Sequence, residues 1–265
     1  MKIAIIGAGN MGSAIALGLA RTAECTDVIV SNPSVEKLNA LKKEFPFIIA
    51  TTTDNRDAAA AADFIFLAVK PWKVAEVIAE IKPVLRPEQV IVSVAGGISS
   101  DTLDEWLAKD GEELPPLYIV IPNTAIAVLQ SMTFVSGKRT TEALDATMLK
   151  MFGAMGEVMM VDEALIPAGI SLASCGIAYA LRYIRSAVLG GVELGMRATD
   201  AQKIVMQTVK GAATLLEANG THPEVEIDRV TTPGGFTIRG LNAMEEHGFT
   251  ASVIEGLRAS YKKKE

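Results

Sequence analysis

Lys2-Ile3-Ala4-Ile5-Ile6-Gly7-Ala8-Gly9-Asn10-Met11-Gly12 opens the chain, and its reading decides the fold. A short apolar strand runs directly into a glycine-rich turn, and a helical pattern follows. In such a strand–turn–helix unit the first glycine makes the turn and the second admits a pyrophosphate close to the backbone. The third lets helix and strand approach each other. Gly7, Gly9 and Gly12 fit these roles, with Asn10 and Met11 at the helix start, where an anion is favoured. A glycine triplet alone is weak evidence; the strand before it and the helix after it make this one a dinucleotide turn.

Working outward, short apolar runs alternate with amphipathic ones up to about residue 161. Strands are expected near 2–6, 27–31, 47–50, 63–69, 89–95 and 116–121, with helical patterns between most of them. Two further strand-like runs, 132–136 and 157–161, flank a helical pattern over 141–155. This alternation predicts an α/β architecture: a doubly wound parallel sheet of Rossmann type, with helices on both faces. From Asp162 onward there is no convincing strand, and helical patterns near 163–195, 199–218 and 236–262 are rich in Ala, Leu, Met and Gly. The chain therefore divides into a dinucleotide-binding domain, 1–161, and an all-α domain, 162–265.

Composition excludes other classes. The 265 residues are 49% hydrophobic, enough for a substantial core, and carry a net charge of −6 with Lys and Arg scattered. Without a basic stripe, nucleic acid is not an expected partner. Lys262-Lys263-Lys264 reads as a solvated end. Cys25 and Cys175 show neither metal-ligand nor paired redox spacing, so no metal is expected and both read as free thiols in a reducing cytoplasm. A strand starting at residue 2 leaves no room for a signal peptide, and a cytoplasmic location is expected. Residues 164–181 carry no charge, which is about the length at which a membrane span is considered. Pro167, Gly169, Gly176, Ser171, Ser174 and Tyr179 interrupt that run, and Arg182 and Arg185 continue its pattern. The expectation is a helix buried on all sides, covered in so short a chain by a second copy, and no membrane span.

The second strand ends at Ser31-Asn32-Pro33-Ser34. An NAD enzyme places an acid there, about 20 residues beyond the last glycine, for the ribose 2′-hydroxyl. No acid is present. Ser31, Asn32, Ser34 and Lys37 suit a 2′-phosphate, so NADPH is expected ahead of NADH. Three more strand ends carry polar or glycine-rich turns: Ala68-Val69-Lys70-Pro71, Ser93-Val94-Ala95-Gly96-Gly97 and Ile121-Pro122-Asn123-Thr124. Singly, Lys70 reads as a surface charge and Gly96-Gly97 as a turn. Their recurrence at strand C-termini, where ligands sit in open parallel sheets, points to a nicotinamide pocket that includes Val69, Lys70, Pro71, Ala95, Gly96, Gly97 and Asn123.

At the other end, Val230-Thr231-Thr232-Pro233-Gly234-Gly235-Phe236-Thr237-Ile238-Arg239-Gly240 sets hydroxyls, two glycines and a proline ahead of a helical pattern. Glycines let the backbone turn its N–H groups outward and a helix start adds partial positive charge, so the segment is a cradle for a small anion. Backbone N–H groups of Gly234, Gly235 and Thr237, with the Thr232 hydroxyl, are expected to hold a carboxylate. A nucleotide site and an anion site together suggest a reductase acting on a small carboxylate.

With both ends read, the chain resembles the pyrroline-5-carboxylate reductases over nearly its whole length. The resemblance rests on Gly7-Ala8-Gly9-Asn10-Met11-Gly12, Val69-Lys70-Pro71, Ala95-Gly96-Gly97-Ile98, Pro122-Asn123-Thr124 and Ala178-Tyr179. Its most specific mark is Thr231-Thr232-Pro233-Gly234-Gly235-Phe236-Thr237. It implies a Rossmann domain, a helical C-terminal dimerisation domain that interlocks with another subunit, and reduction of 1-pyrroline-5-carboxylate to L-proline with NADPH, NADH being the alternative donor. It also implies a homo-oligomer built from dimers, up to a decamer. Three departures stand out. Ala125 follows Pro122-Asn123-Thr124 where the family usually has proline. Ser174-Cys175-Gly176-Ile177-Ala178-Tyr179 replaces Gly-Ser-Gly-Pro-Ala-Tyr, and Phe236 stands where a small residue is common.

Thr237 is the expected catalytic residue, hydrogen-bonding the ring nitrogen or relaying a proton through water; its alternative role is a helix cap. The substrate's C=N nitrogen is already basic, so a strong general acid is not required. His222 and His247 read as surface or capping residues. A β-hydroxyacid-type dehydrogenase is the alternative within the same chemistry, but it usually carries a conspicuous lysine on the interdomain helix, and none lies between Lys150 and Lys203. A non-catalytic nucleotide-sensing protein is the alternative from another class.

Overall fold

The computed structural model describes residues 1–22, 27–44 and 49–261. Cys25, the start of the strand expected over 47–50, and Lys262-Lys263-Lys264 lie outside the described residues. One compact unit comprises Met1–Ser174 with Tyr261, and a second comprises Cys175–Ser260.

In the first unit β1 (Lys2–Ile6), β2 (Asp27–Ser31), β3 (Ile49–Thr52), β4 (Phe64–Leu67), β5 (Val90–Ser93), β6 (Leu117–Ile121), β7 (Ser131–Lys138) and β8 (Gly156–Met160) form one sheet, ordered β3-β2-β1-β4-β5-β6-β7-β8. The helices α1 (Asn10–Arg21), α2 (Val35–Glu44), α3 (Asn55–Ala61), α4 (Val74–Ile81), α5 (Ser100–Leu107) and α6 (Glu142–Gly153) accompany it. Strand residues alternate between two cores, as the period of two requires. Ile3, Ile5, Val28, Val30, Phe66 and Val92 meet Ile15 and Leu19 of α1, Leu38 and Leu41 of α2, and Phe152 of α6. On the other face Ala4, Ile6, Ile65, Leu67 and Ile91 meet Ala58 of α3, Ile78 and Ile81 of α4 and Leu103 of α5.

The sheet is mixed rather than wholly parallel: β7 runs antiparallel to β6, and β8 runs parallel to β7. The physical reason is the link over 122–130, which holds only a short 3₁₀ turn, Thr124–Val128. A parallel crossover needs about a dozen residues or more, usually a helix. Tyr118 on β6 donates its phenol to Asp145 of α6 at 2.6 Å. Burial and that bond push the phenol well above its ordinary range.

The expected boundary at 161/162 and the compact division at 174/175 differ by the segment between them, which packs on the sheet. There α7 (Ile166–Gly169) buries Ile166 among the second core, and a Cβ at Gly169 would sit 2.7 Å from the Phe134 ring. Glu163 accepts hydrogen bonds from the Ser100 N–H and hydroxyl. The single helix expected over 163–195 is thus composite: a 3₁₀ turn, α7, a π-helical stretch Ile170–Cys175, then α8 (Gly176–Glu193). Within the π stretch Ser174 donates to the Pro122 carbonyl at 2.8 Å.

The second unit holds α8, α9 (Ala198–Asn219), α10 (Pro223–Arg229), α11 (Phe236–Glu246) and α12 (Phe249–Ser260). Gly191 permits close α8–α9 packing, since a Cβ there would meet the Ala201 methyl at 2.9 Å. The helix expected over 236–262 is broken, because Gly248 takes φ +75° just after α11 and ends it. The expectation that α8 is buried on all sides is not met within the chain: none of its residues is fully buried, and Leu181 and Leu189 are each 58% exposed. A unit of so few helices has too little of its own surface to cover them. The helical run Glu163–Glu193 is long and apolar enough to cross a membrane by length and composition.

Candidate active site

Strand register builds the nucleotide edge. Ile6 pairs with Ser31 and with Leu67, Leu67 with Ser93, and Ser93 with Ile119. The turns after β1, β2, β4 and β5 therefore leave the sheet at one level, around the place where strand order reverses between β1 and β4, and β6 runs two residues further to Ile121.

Gly7 and Gly12 of the first turn meet distinct constraints. Gly7 adopts φ +110°, and its Cβ would fall 2.7 Å from the Ala68 carbonyl oxygen; its N–H donates to the Ser31 carbonyl at 2.8 Å. A Cβ on Gly12 would lie 1.9 Å from the Gly7 oxygen, so α1 reaches the turn only because that position lacks a side chain. Gly9 has open space around it. It is the N-cap of α1 with no side-chain cap and no acid in the first turn, so Asn10, Met11 and Gly12 follow a helix start whose N–H groups are available to an anion. Close packing on two sides and an opening on the third fit a dinucleotide pyrophosphate.

At the β2 end, Asn32 Oδ1 accepts from Ala8 N–H at 3.1 Å and Nδ2 lies 3.4 Å from the Ser34 carbonyl. This side chain ties the second strand end to the glycine turn. Asn32 and Ser34 are half-buried and Lys37 is exposed on α2. Ser31 is placed differently from the sequence expectation: it is fully buried, and its hydroxyl donates to Asn55 Oδ1 at 2.6 Å. Asn55 in turn donates to Glu80 at 2.7 Å. Sequence reasoning missed Asn55 and Glu80; the available signal was Asp54, whose carboxylate caps α3 beside the β3 end.

Further along the same edge, Val69 and Pro71 are half-buried, Lys70, Gly96 and Gly97 exposed, and Ala95 buried. Gly97 takes φ +84°. Asn123 is nearly buried, and its Oδ1 accepts from Ala125 N–H at 3.0 Å. A 3₁₀ turn thus follows Asn123 with Ala125 inside it.

The helical unit carries the second candidate turn. The Gly235 N–H donates to the Thr232 carbonyl at 3.0 Å and so is not free for a carboxylate, contrary to the sequence expectation, while Gly234 takes φ +70°. With Pro233 and Gly234 at its centre, this is a type II turn, whose third position requires positive φ. A Cβ on Gly235 would come 2.5 Å from Thr232 Oγ1, so glycine there lets the hydroxyl stand against the backbone. Gly235 is also the N-cap of α11, with no side-chain cap and no acid in the first turn. Phe236 and Thr237 are the first residues of that helix, so Thr237 is not its N-cap, and its hydroxyl makes no hydrogen bond among the described residues. Both histidines are accounted for as caps. His222 accepts from Glu224 N–H at the start of α10, and His247 lies 2.8 Å from the Ala243 carbonyl at the end of α11. No cluster of His, Cys, Asp or Glu suited to a metal occurs among the described residues.

Residues 163–265 match the family model for pyrroline-5-carboxylate reductase dimerisation, and residues 2–97 match that for the NADP oxidoreductases described as coenzyme F420-dependent. Pyrroline-5-carboxylate reductase 2 of Dictyostelium discoideum is 36% identical over 99% of this chain and 91% of its own. This chain belongs to the pyrroline-5-carboxylate reductase family. The reductase of Escherichia coli K12 is 33% identical over 100% of this chain and 97% of its own. Among solved structures, the 1-pyrroline-5-carboxylate reductase of Streptococcus pyogenes aligns with TM-score 0.86 and 30% identity over 98% of this chain and 96% of its own. The Plasmodium falciparum reductase, solved with NADP bound, has the same fold, at TM-score 0.86 and 24% identity over 98% and 95% of the two chains.

Proposed function

We infer that this chain reduces 1-pyrroline-5-carboxylate to L-proline with NAD(P)H, the last step of proline biosynthesis, and that NADPH is its preferred donor. The observation that carries the reading is the Pro-Gly turn before α11, with its uncapped, acid-free helix start. It suits one small carboxylate, in a chain whose other end carries a dinucleotide turn.

Residues 1–161 form the dinucleotide-binding domain and 162–265 the substrate-binding and oligomerisation domain. Gly7, Gly9, Asn10, Met11 and Gly12 hold the pyrophosphate. Asn32, Ser34 and Lys37 face the 2′-phosphate, while Ser31 braces the strand end through Asn55. Val69, Lys70, Pro71, Ala95, Gly96, Gly97 and Asn123 surround the nicotinamide end. When bound, the cofactor supplies the hydride that reduces the imine carbon. Thr232, Gly234 and the Thr237 N–H hold the substrate carboxylate, Gly235 makes room for the Thr232 hydroxyl, and the Thr237 hydroxyl hydrogen-bonds the ring nitrogen. Holding the imine in one orientation is worth about 7–11 kcal/mol of barrier, which suits a site without a strong acid.

The exposed apolar residues of α8 support a homo-oligomer; we propose a dimer as its building block and a decamer as the larger assembly. Obligate interfaces of this kind bury roughly 2,000 Å² or more. We place the protein in the cytoplasm, with no nucleic acid or membrane partner. NADPH oxidation with and without the imine tests the activity. Oxidation independent of the imine, or none, refutes it. A monomer by light scattering at micromolar concentration refutes the assembly.

A further inference from the structure

Phe236 is the most exposed large apolar side chain among the described residues, with 92% of its surface in solvent. Its position gives that exposure a use. It is the first residue of α11, between the N-cap Gly235 and Thr237, and its backbone N–H is one of the helix-start donors without an intrahelical acceptor. A ring carried by a residue whose own N–H forms an anion cradle lies within one side-chain length of whatever the cradle holds.

A cyclic imino acid has a carboxylate on one ring carbon and methylenes on the far side of the ring. With the carboxylate on the N–H groups at the start of α11, the methylenes need an apolar wall, and a phenyl ring has about 150–250 Å² to offer. We infer that Phe236 lays its ring over these methylenes and thereby sets the ring size the site accepts, favouring five-membered over six-membered imino acids. This rests on the proposed reading of Thr232–Thr237 as the carboxylate site. Phe236 acts on selectivity, not on proton or hydride movement. One methylene more or less in a fitted apolar site is worth about 10- to 200-fold.

The test compares binding of L-proline and its six-membered homologue L-pipecolate to the full-length protein with NADP⁺, by calorimetry, for wild type, Phe236→Ala and Phe236→Leu. Wild type is expected to favour proline by about tenfold or more. Phe236→Ala should weaken proline binding and bring the two ligands close to parity, and Phe236→Leu should recover part of the preference. An unchanged ratio in Phe236→Ala, at the wild-type mass by light scattering, overturns the inference. So does dissociation of that variant into smaller species, which makes the ring an interface anchor, and so does failure of wild type to bind either ligand. Imine-dependent NADPH oxidation is scored separately. A protein that discriminates proline through Phe236 yet oxidises no NADPH loses the reductase reading and keeps this one.

Discussion

Gly9→Ala and Gly12→Ala separate packing from ligand binding within a single turn. A Cβ at Gly12 falls 1.9 Å from the Gly7 oxygen, against about 3.5 Å for an unstrained contact, so α1 and the turn must part by roughly 1.5 Å. Over-packing of that kind costs about 1–3 kcal/mol and lowers the unfolding midpoint whether or not cofactor is present. Gly9 has nothing near it and sits at φ −78°, which alanine adopts freely. Its replacement should cost the free protein about 1 kcal/mol or less, the penalty of a poorer N-cap. The new methyl instead stands where the pyrophosphate must approach, so NADPH Kd should rise at least about tenfold, or 1.4 kcal/mol. Thermal unfolding with and without NADPH, together with a direct NADPH titration, reads both effects. A Gly9→Ala protein that binds NADPH like wild type would refute the assignment of this opening to the pyrophosphate. An undiminished midpoint in Gly12→Ala would show that the helix is not held against the turn.

Asn32→Asp keeps an acceptor for the Ala8 N–H and adds a charge that repels a 2′-phosphate. The ratio of kcat/KM for NADPH over NADH should fall by about tenfold or more, and a wild type that already prefers NADH defeats the argument. Thr237→Val should lower kcat by about tenfold with NADPH affinity retained. Because Gly235 and not Thr237 caps α11, the unfolding midpoint should hold, and an unchanged kcat transfers the hydrogen bond to water. Asp104 accepts two bonds from Arg139, at 2.8 and 2.6 Å, and one from Lys138. Burial works to raise its pKa, but those bonds outweigh it and hold the carboxyl below its ordinary value. A lowered folded-state pKa stabilises above the unfolded value and is lost as pH falls through the folded one. Asp104→Asn should therefore be less stable by about 1 kcal/mol at neutral pH and converge with wild type in acid; a constant gap across that range contradicts the assignment.

Much of this was legible locally. Gly7 and Gly12 are demanded by one turn between one strand and one helix, and the Thr232–Gly235 turn is written in its own Pro-Gly pair. Both turns could be found from short stretches because backbone conformation there depends on neighbours in sequence. Missed elements had weaker local signatures. α10 lay behind His222-Pro223-Glu224, a proline at the first helical position followed by an acid. The helical pattern over 236–262 runs through Gly248 without a break, although its left-handed conformation ends α11.

What the chain's own pattern determined is the set of strands, the order in which they alternate with helices, and the two turns that offer N–H groups to anions. These follow from side-chain period and glycine geometry, which act over a few residues. Tertiary structure alone decided that the segment 162–174 packs on the sheet, and that the Ser31 hydroxyl bonds Asn55 while Asn32 holds the glycine turn. It also decided that Thr237 lies inside α11 with its hydroxyl free of any bond among the described residues. The packing of 162–174 and the bonds of Ser31 and Asn32 depend on which distant groups compete for one hydrogen bond or one patch of apolar surface, and that competition is settled only when the strands are side by side.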